Sequence, residues 1–257
     1  MLWLTIFFVI PFGSLFATSM QDSGSGPFGN YASALSQYWG AYVRALSYAG
    51  ISTLLALIIA YPLAYYIALR SGRWRSLLLV LVIAPSFASF LLRTYAWRTI
   101  LADEGPVTSF FNALGVLPDD RILSTGLAVV AGLTYNFLPF MILPLYASLD
   151  RVDPRLIEAA GDLYASGPKT FWKVTWPLSM PGVIAGTLLT FIPASGDFIN
   201  AQLLGSPQTQ MIGNAIQANF YKLRDYPMAS SLSFILMATI LILVVAYIKR
   251  SGTEEIV

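Results

Sequence analysis

Six stretches of the chain are apolar over lengths at or near the roughly 20 residues that a helix needs to cross a bilayer, and a soluble fold cannot absorb so much uninterrupted hydrocarbon. They run from Leu2 to Ala17, Ala45 to Leu69, Leu77 to about Leu101, Thr125 to Leu149, Leu178 to about Leu204, and Met228 to Ile248. The first is short. It lacks the basic start and the small-residue cleavage pair of a signal peptide, so it is read as a span whose start lies upstream. The composition agrees: 56% of the 257 residues are hydrophobic and only 11% charged, far from a soluble domain and consistent with lipid as solvent. The expectation is an all-α integral membrane protein of six transmembrane helices, one domain over residues 1–257.

Cysteine and histidine are absent. That excludes disulfides, thiol nucleophiles, thiolate or imidazole metal sites and histidine proton relays, and most enzyme chemistry with them. A net charge of +2 is too balanced to point to nucleic acid.

The basic residues set the orientation. Arg70, Arg73, Arg75, Arg151, Arg155, Lys169, Lys173, Lys249 and Arg250 fall in connections on one side and cluster at span ends. Arg44, Arg93, Arg98, Arg121, Lys222 and Arg224 fall on the other, three of them within or at the edge of apolar stretches. The first side is therefore read as cytoplasmic, with both termini there. The outer connections carry turn signals at Asp22-Ser23-Gly24-Ser25-Gly26-Pro27, Asp103-Glu104-Gly105-Pro106, Leu117-Pro118-Asp119-Asp120 and Gly205-Ser206-Pro207. Within the spans, Pro62, Pro85, Pro139, Pro144 and Pro193 each remove a backbone donor and are expected to bend their helices.

The inner connection at about 150–177 is too long for a turn. Asp153-Pro154 reads as an N-cap followed by proline at the first helical position, after which Leu156, Ala160 and Leu163 share one face. Ser166-Gly167-Pro168 punctuates, and a second short helix follows from Lys169 to Thr175, with Phe171, Trp172 and Val174 exposed or half exposed. Pro177 and Pro181 are expected to stop it before the fifth span. Periodicity leaves two readings open. One is an amphipathic hairpin on the headgroups, with Lys169 and Lys173 on anionic lipid. The other is a docking element whose apolar face fills a soluble partner's groove.

Glu158-Ala159-Ala160, with Asp162-Leu163, Ala165-Ser166, Phe171, Val174 and Pro177-Leu178, resembles the EAA loop of ATP-binding-cassette importer permeases. The resemblance implies that this loop forms coupling helices seated in a cleft of an ATPase subunit, with Glu158, Ala159, Ala160, Asp162, Leu163, Ala165, Phe171 and Val174 at the contact. The chain departs from the family at Tyr164, where glycine is usual, six residues after the glutamate; the departure concerns the turn between the two short helices. The chain has no G-x-x-x-x-G-K-[ST] loop, and Gly167-Pro168-Lys169-Thr170 is only an echo of one. No cofactor is expected in this chain: ATP and Mg are assigned to the partner.

Further segments are similar to spermidine/putrescine permeases of the PotB type: Ala84-Pro85-Ser86, Leu92-Arg93-Thr94-Tyr95-Ala96-Trp97, Asn136-Phe137-Leu138-Pro139-Phe140, Leu143-Pro144, Gly196-Asp197-Phe198, Leu203-Leu204-Gly205 and Met211-Ile212-Gly213-Asn214. The likeness implies a bacterial inner-membrane complex with a second, PotC-like permease, two PotA-like ATPase subunits and a PotD-like extracytoplasmic binding protein. Asp197 is the acidic residue expected at membrane depth, where a charge costs roughly 2.5–3.5 kcal/mol on insertion scales. It is either a structural partner, for instance of Arg93, or part of a substrate path with Asn200, Arg93, Tyr95, Trp97, Tyr135 and Asn136; the aromatics are read more readily as packing groups than as a cation cage. Gly182 and Gly186 form a small-xxx-small pair for helix packing. The rival readings are a related importer permease for an opine, ferric ion, thiamine or an oxyanion, and an ion-driven secondary transporter. The second would require more titratable groups within the membrane.

Overall fold

The computed structural model describes residues 3, 5–21, 26, 28–115 and 121–250, and these contain helices and no strand. Leu2, the turn residues 22–25 and 27, and the Leu117-Pro118-Asp119-Asp120 turn lie outside the described residues. The apolar helices are α1 (Thr5–Ser19), α2 (Gly29–Leu69), α3 (Arg75–Ile83), α4 (Phe90–Ile100), α6 (Gly126–Leu149), α8 (Gly167–Ser195) and α11 (Tyr226–Arg250). Shorter helices are α5 (Pro106–Ala113), α7 (Pro154–Asp162), α9 (Ile199–Leu204) and α10 (Ile212–Gln217). Four helices (α2, α6, α8 and α11) are long and apolar enough to cross a membrane unbroken. The α3/α4 pair adds a fifth span if it is taken as one broken crossing, and α1 is a shorter apolar helix.

Several expected boundaries need correction. The second span does not begin at Ala45: α2 is a 41-residue helix starting at Gly29. Its first turns are polar enough to escape a hydropathy reading. Asn30 nevertheless anchors them, donating to the carbonyls of Ser19 (3.2 Å) and Gln21 (2.8 Å). The third span is not one rod. It breaks through a 3-10 turn at Ala84–Phe87 and an extended Ala88, and the two halves meet at 94°. Pro85 supplies no N–H there, so the helical ladder ends where it stands. The fifth span does not reach Leu204; α8 ends at Ser195, and Gly196-Asp197 separates it from α9.

Pro177 and Pro181 do not stop the second loop helix, which forms the first turns of α8 and runs on through both. In a regular α-helix the residue at 177 would donate its N–H to the Lys173 carbonyl, a bond that Pro177 cannot make. A π-turn over Phe171–Thr175 occupies that position, so the changed hydrogen-bond spacing accommodates the missing donor.

The described residues form two compact units. One lies within Met1–Tyr48, Ser124–Val129 and Ser195–Val257, the other within Ala49–Leu123 and Val130–Ala194. In the first, α1 packs on α11, with Phe12 and Phe16 edge-on to Phe234 at centroid distances of 5.0 and 5.5 Å. Tyr42 donates to the Leu232 carbonyl at 2.6 Å. In the second, α2, α6 and α8 share a core of Ala56, Ala60, Tyr61, Ala64, Met141, Ile142, Leu145, Leu149 and Val183. Alanine at every fourth position of α2 keeps that face flat and lets the backbones approach, which is how helices associate when lipid removes the hydrophobic drive between them. Gly182 and Gly186 do the same for α8 on α6. A Cβ on Gly182 would lie 2.5 Å from the Ser148 Cβ and 2.7 Å from the Pro144 carbonyl, and one on Gly186 would lie 2.8 Å from the Met141 sulfur.

Candidate functional site

The inner loop at about 150–177, which runs from the end of α6 through α7 into the first turns of α8, belongs to the second unit, and its geometry follows from its sequence. Asp153 Oδ1 accepts the Arg155 N–H at 2.9 Å, and Pro154 opens α7. At the other end of α7, Tyr164 N–H donates to the Gly161 carbonyl (2.9 Å) and Ala165 N–H to the Ala160 carbonyl (3.0 Å), the paired bonds of a Schellman closure. Such a closure places the residue after the cap in the left-handed region, and Tyr164 sits there with φ +57°. A side chain with a Cβ costs roughly 1–2 kcal/mol in that conformation. The turn that glycine would make freely is therefore made by tyrosine.

The loop residues divide by what they touch. Glu158, Ala159, Asp162 and Leu163 are exposed; Ala160, Ala165, Phe171 and Val174 are half-buried. Leu163 is 82% and Tyr164 97% exposed, so the apex presents two large apolar side chains with almost no cover. Trp172 is exposed and Phe171 and Val174 are half-buried, all within the expectation, and the Phe171 ring is turned toward the core. Its ring meets Tyr61 edge-on at 5.4 Å and 80°, and Trp176 approaches the same tyrosine at 5.2 Å. Tyr61 bonds Ser179 at 2.7 Å. Phe171 thus belongs to a joint between the loop and the helical core, a role its sequence context does not distinguish from exposure.

A cleft of about 490 Å³ opens beside α7, between the end of α6 and the start of α8, with Ala147, Val152, Leu156, Pro181 and Ala185 on its walls and Arg151 and Asp153 among its polar lining. At the same end of α6, Arg75 donates to the Tyr146 hydroxyl and forms an ion pair with Asp150. This brings the Arg70–Arg75 connection and the start of the loop to one end, as their reading as one side requires. At another connection, Arg121 pairs with Asp103 at 3.1 Å.

The seven residues read from sequence as a path fall in both units. In the second, Trp97 packs against Tyr135 at 5.2 Å, and Asn136 donates to Thr94 Oγ1 at 3.2 Å, joining α4 to α6. Tyr95 is half exposed, and the Arg93 guanidinium lies over the Phe90 ring at 5.6 Å. In the first unit, Asp197 is 8% exposed and its Oδ1 accepts the Asn200 N–H at 2.8 Å, at the start of α9. Asn214 donates to the Phe198 carbonyl at 2.9 Å, and a Cβ on Gly213 would lie 2.5 Å from the Gly196 carbonyl. The Gly196-Asp197-Phe198 and Met211-Ile212-Gly213-Asn214 stretches are therefore packed on each other. Their separation in sequence hid this; only the glycine at 213 signalled a close approach. Sequence reading also missed α5 and α10.

Residues 55–251 match the model of the family described as binding-protein-dependent transport system inner membrane component. The chain is 37% identical to the spermidine/putrescine transport system permease protein PotB of Haemophilus influenzae, over 97% of this chain and 90% of that protein. It is 36% identical to the PotB of Escherichia coli, over 97% and 94%. The inner membrane ABC transporter permease protein YdcU of Escherichia coli is also 36% identical, over 83% and 72%. Among solved structures, a bacterial alginate ABC transporter in complex with an alginate pentasaccharide-bound periplasmic protein superposes with TM-score 0.75 at 18% identity, covering 95% of this chain and 88% of that one. The MetNI methionine ABC transporter in an inward-facing conformation gives 0.62 at 16% identity, covering 82% and 94%. At those identities the likeness is one of fold.

Proposed function

The chain belongs to the family of binding-protein-dependent transport system inner membrane components, and on that footing we propose that it is a permease subunit of an ATP-driven importer of polyamines. The observation that carries the substrate class is the 36–37% identity, over 97% of the chain, to relatives named as spermidine/putrescine permeases. A polyamine is a flexible cation, which carboxylates and aromatic faces can hold. Asp197 with Asn200, and Tyr95, Trp97, Tyr135, Asn136 and Arg93, are the residues assigned to the path.

In this reading the loop at about 150–177 seats in an ATPase subunit through Glu158, Ala159, Ala160, Asp162, Leu163, Ala165 and Val174, and Phe171 passes its movement to Tyr61 and the core. The capped α7, with its exposed apolar residues, supports docking. ATP and Mg are bound by the partner, so this chain is not itself an enzyme. Its partners are a PotC-like second permease, two PotA-like ATPase subunits and a PotD-like binding protein, and both termini face the cytoplasm. The experiment is mass spectrometry of the complex purified in mild detergent from native membranes. Co-purifying ATPase and sister-permease subunits with a polyamine bound are expected. An opine, ferric ion, thiamine or oxyanion in its place would refute the substrate class, and purification without an ATPase would refute the importer.

A further inference from the structure

The apex of the inner loop combines features that do not serve the fold of this chain. Tyr164 holds a left-handed backbone conformation at φ +57°, although its side chain is 97% exposed and gains nothing from neighbours. Asparagine or glycine would close the same Schellman turn with less strain. Leu163 beside it is 82% exposed. One turn earlier, Glu158 and Asp162 stand at i and i+4 on an exposed helix, a like-charge pair that weakens it, with Asp162 at the end where the helix dipole disfavours an anion. Strain, exposed apolar surface and unbalanced charge coincide within seven residues of chain.

Two occupants could cover such an apex, and charge separates them. Within six residues of Tyr164 on either side the chain carries Glu158, Asp162 and Lys169, a net charge of −1. An anionic leaflet gains no attraction from a segment with that balance, whereas lipid-binding amphipathic surfaces are basic. A protein pocket with an apolar floor and a basic rim fits both the side chains and the charge. Tyrosine is also a residue type that supplies much contact area for little conformational entropy.

We propose that Tyr164, backed by Leu163, is a knob that inserts into an apolar, basic-rimmed pocket of the ATPase subunit. The Schellman bonds fix the backbone and with it the direction of the Tyr164 Cα–Cβ bond, so the ordering left for association is confined to the side chain's own two torsions. The inference rests on the loop being the ATPase contact, and it concerns what makes this chain's contact its own.

The test uses the permease complex in nanodiscs, titrated with the ATPase subunit that co-purifies with it. Tyr164→Gly and Tyr164→Asn both suit the left-handed turn, so neither should impair folding. Both are expected to weaken ATPase binding by about tenfold or more, as loss of an interface anchor does, while Tyr164→Phe stays near wild type. Ala160→Trp, on the body of α7, serves as the reference for docking itself. If Ala160→Trp abolishes binding and Tyr164→Gly leaves it unchanged, the loop docks but the knob is refuted. Wild-type binding in all the variants would refute the knob and the docking together. Nanodiscs with and without anionic lipid should give the same loss; a loss confined to anionic lipid would assign the apex to the membrane and overturn the proposal.

Discussion

Replacing Phe171 with alanine is predicted to uncouple ATP hydrolysis from transport while leaving the spans inserted. Removing a fully buried phenylalanine costs about 3–5 kcal/mol. Phe171 is half-buried, so roughly 2 kcal/mol is expected, part of it from the edge-on contact with Tyr61, a geometry worth about 0.5–1.5 kcal/mol. That loss falls on the joint between loop and core. Tyr61 has a second attachment there. Ser179 gives its one proton to the Trp176 carbonyl at 3.0 Å, so the Tyr61 hydroxyl is the donor in its 2.7 Å bond to Ser179. Tyr61→Phe removes that single bond, for about 1 kcal/mol. The two changes act on one set of contacts, so their effects should depart from additivity by about 0.5 kcal/mol or more. The assay is the ratio of ATP hydrolysed to solute imported by the complete complex in proteoliposomes. Even half of the Phe171 loss is worth about fivefold in an equilibrium, so the ratio should rise by at least about that much in Phe171→Ala and by less in Tyr61→Phe. A wild-type ratio in Phe171→Ala, with strictly additive stability losses, would refute the joint.

Gly182→Leu should separate α6 from α8, because even a Cβ at that position lies 2.5 Å from Ser148; a loss of about 1–3 kcal/mol, read as a lower melting temperature of the purified complex, is expected. Asp197→Asn retains the cap on α9 and removes the charge, so assembly should persist and polyamine uptake fall, whereas Asp197→Ala should also lose about 1 kcal/mol of stability. Unchanged uptake in Asp197→Asn would leave Asp197 with a capping role alone. Lys169→Cys, in a chain with no other cysteine, should resist an impermeant thiol reagent in sealed cells and react in inverted vesicles; labelling in sealed cells would reverse the proposed orientation.

The fourth and sixth apolar stretches were legible almost to the residue, because Gly126–Leu149 and Tyr226–Arg250 are hydrophobic along their whole length. The loop was legible as well: Asp153-Pro154 and Ser166-Gly167-Pro168 mark helix starts by backbone chemistry that acts locally. What hydropathy could not convey was continuity. It registers apolar side chains, so it missed the polar start of α2 and ran α8 through the break at Gly196-Asp197. Proline was ambiguous for a related reason. Pro85 accompanies a break and Pro181 does not, so a proline by itself does not say whether its helix ends. The candidate path was harder still, since the Trp97–Tyr135 contact and the packing of Gly213 on Gly196 join segments far apart in sequence.

The central claim, that this chain carries polyamines inward under power supplied by another polypeptide, is tested most directly in vesicles. The chain would be reconstituted with its co-purifying permease and ATPase subunits, saturated with the binding protein, and supplied with labelled spermidine or putrescine on the binding-protein side. The account predicts accumulation that requires ATP and Mg on the ATPase side, persists when ion gradients are collapsed, and disappears when the ATPase subunit is omitted. Accumulation driven by an ion gradient without ATP, or ATP-driven accumulation of another solute with none of either polyamine, would contradict it.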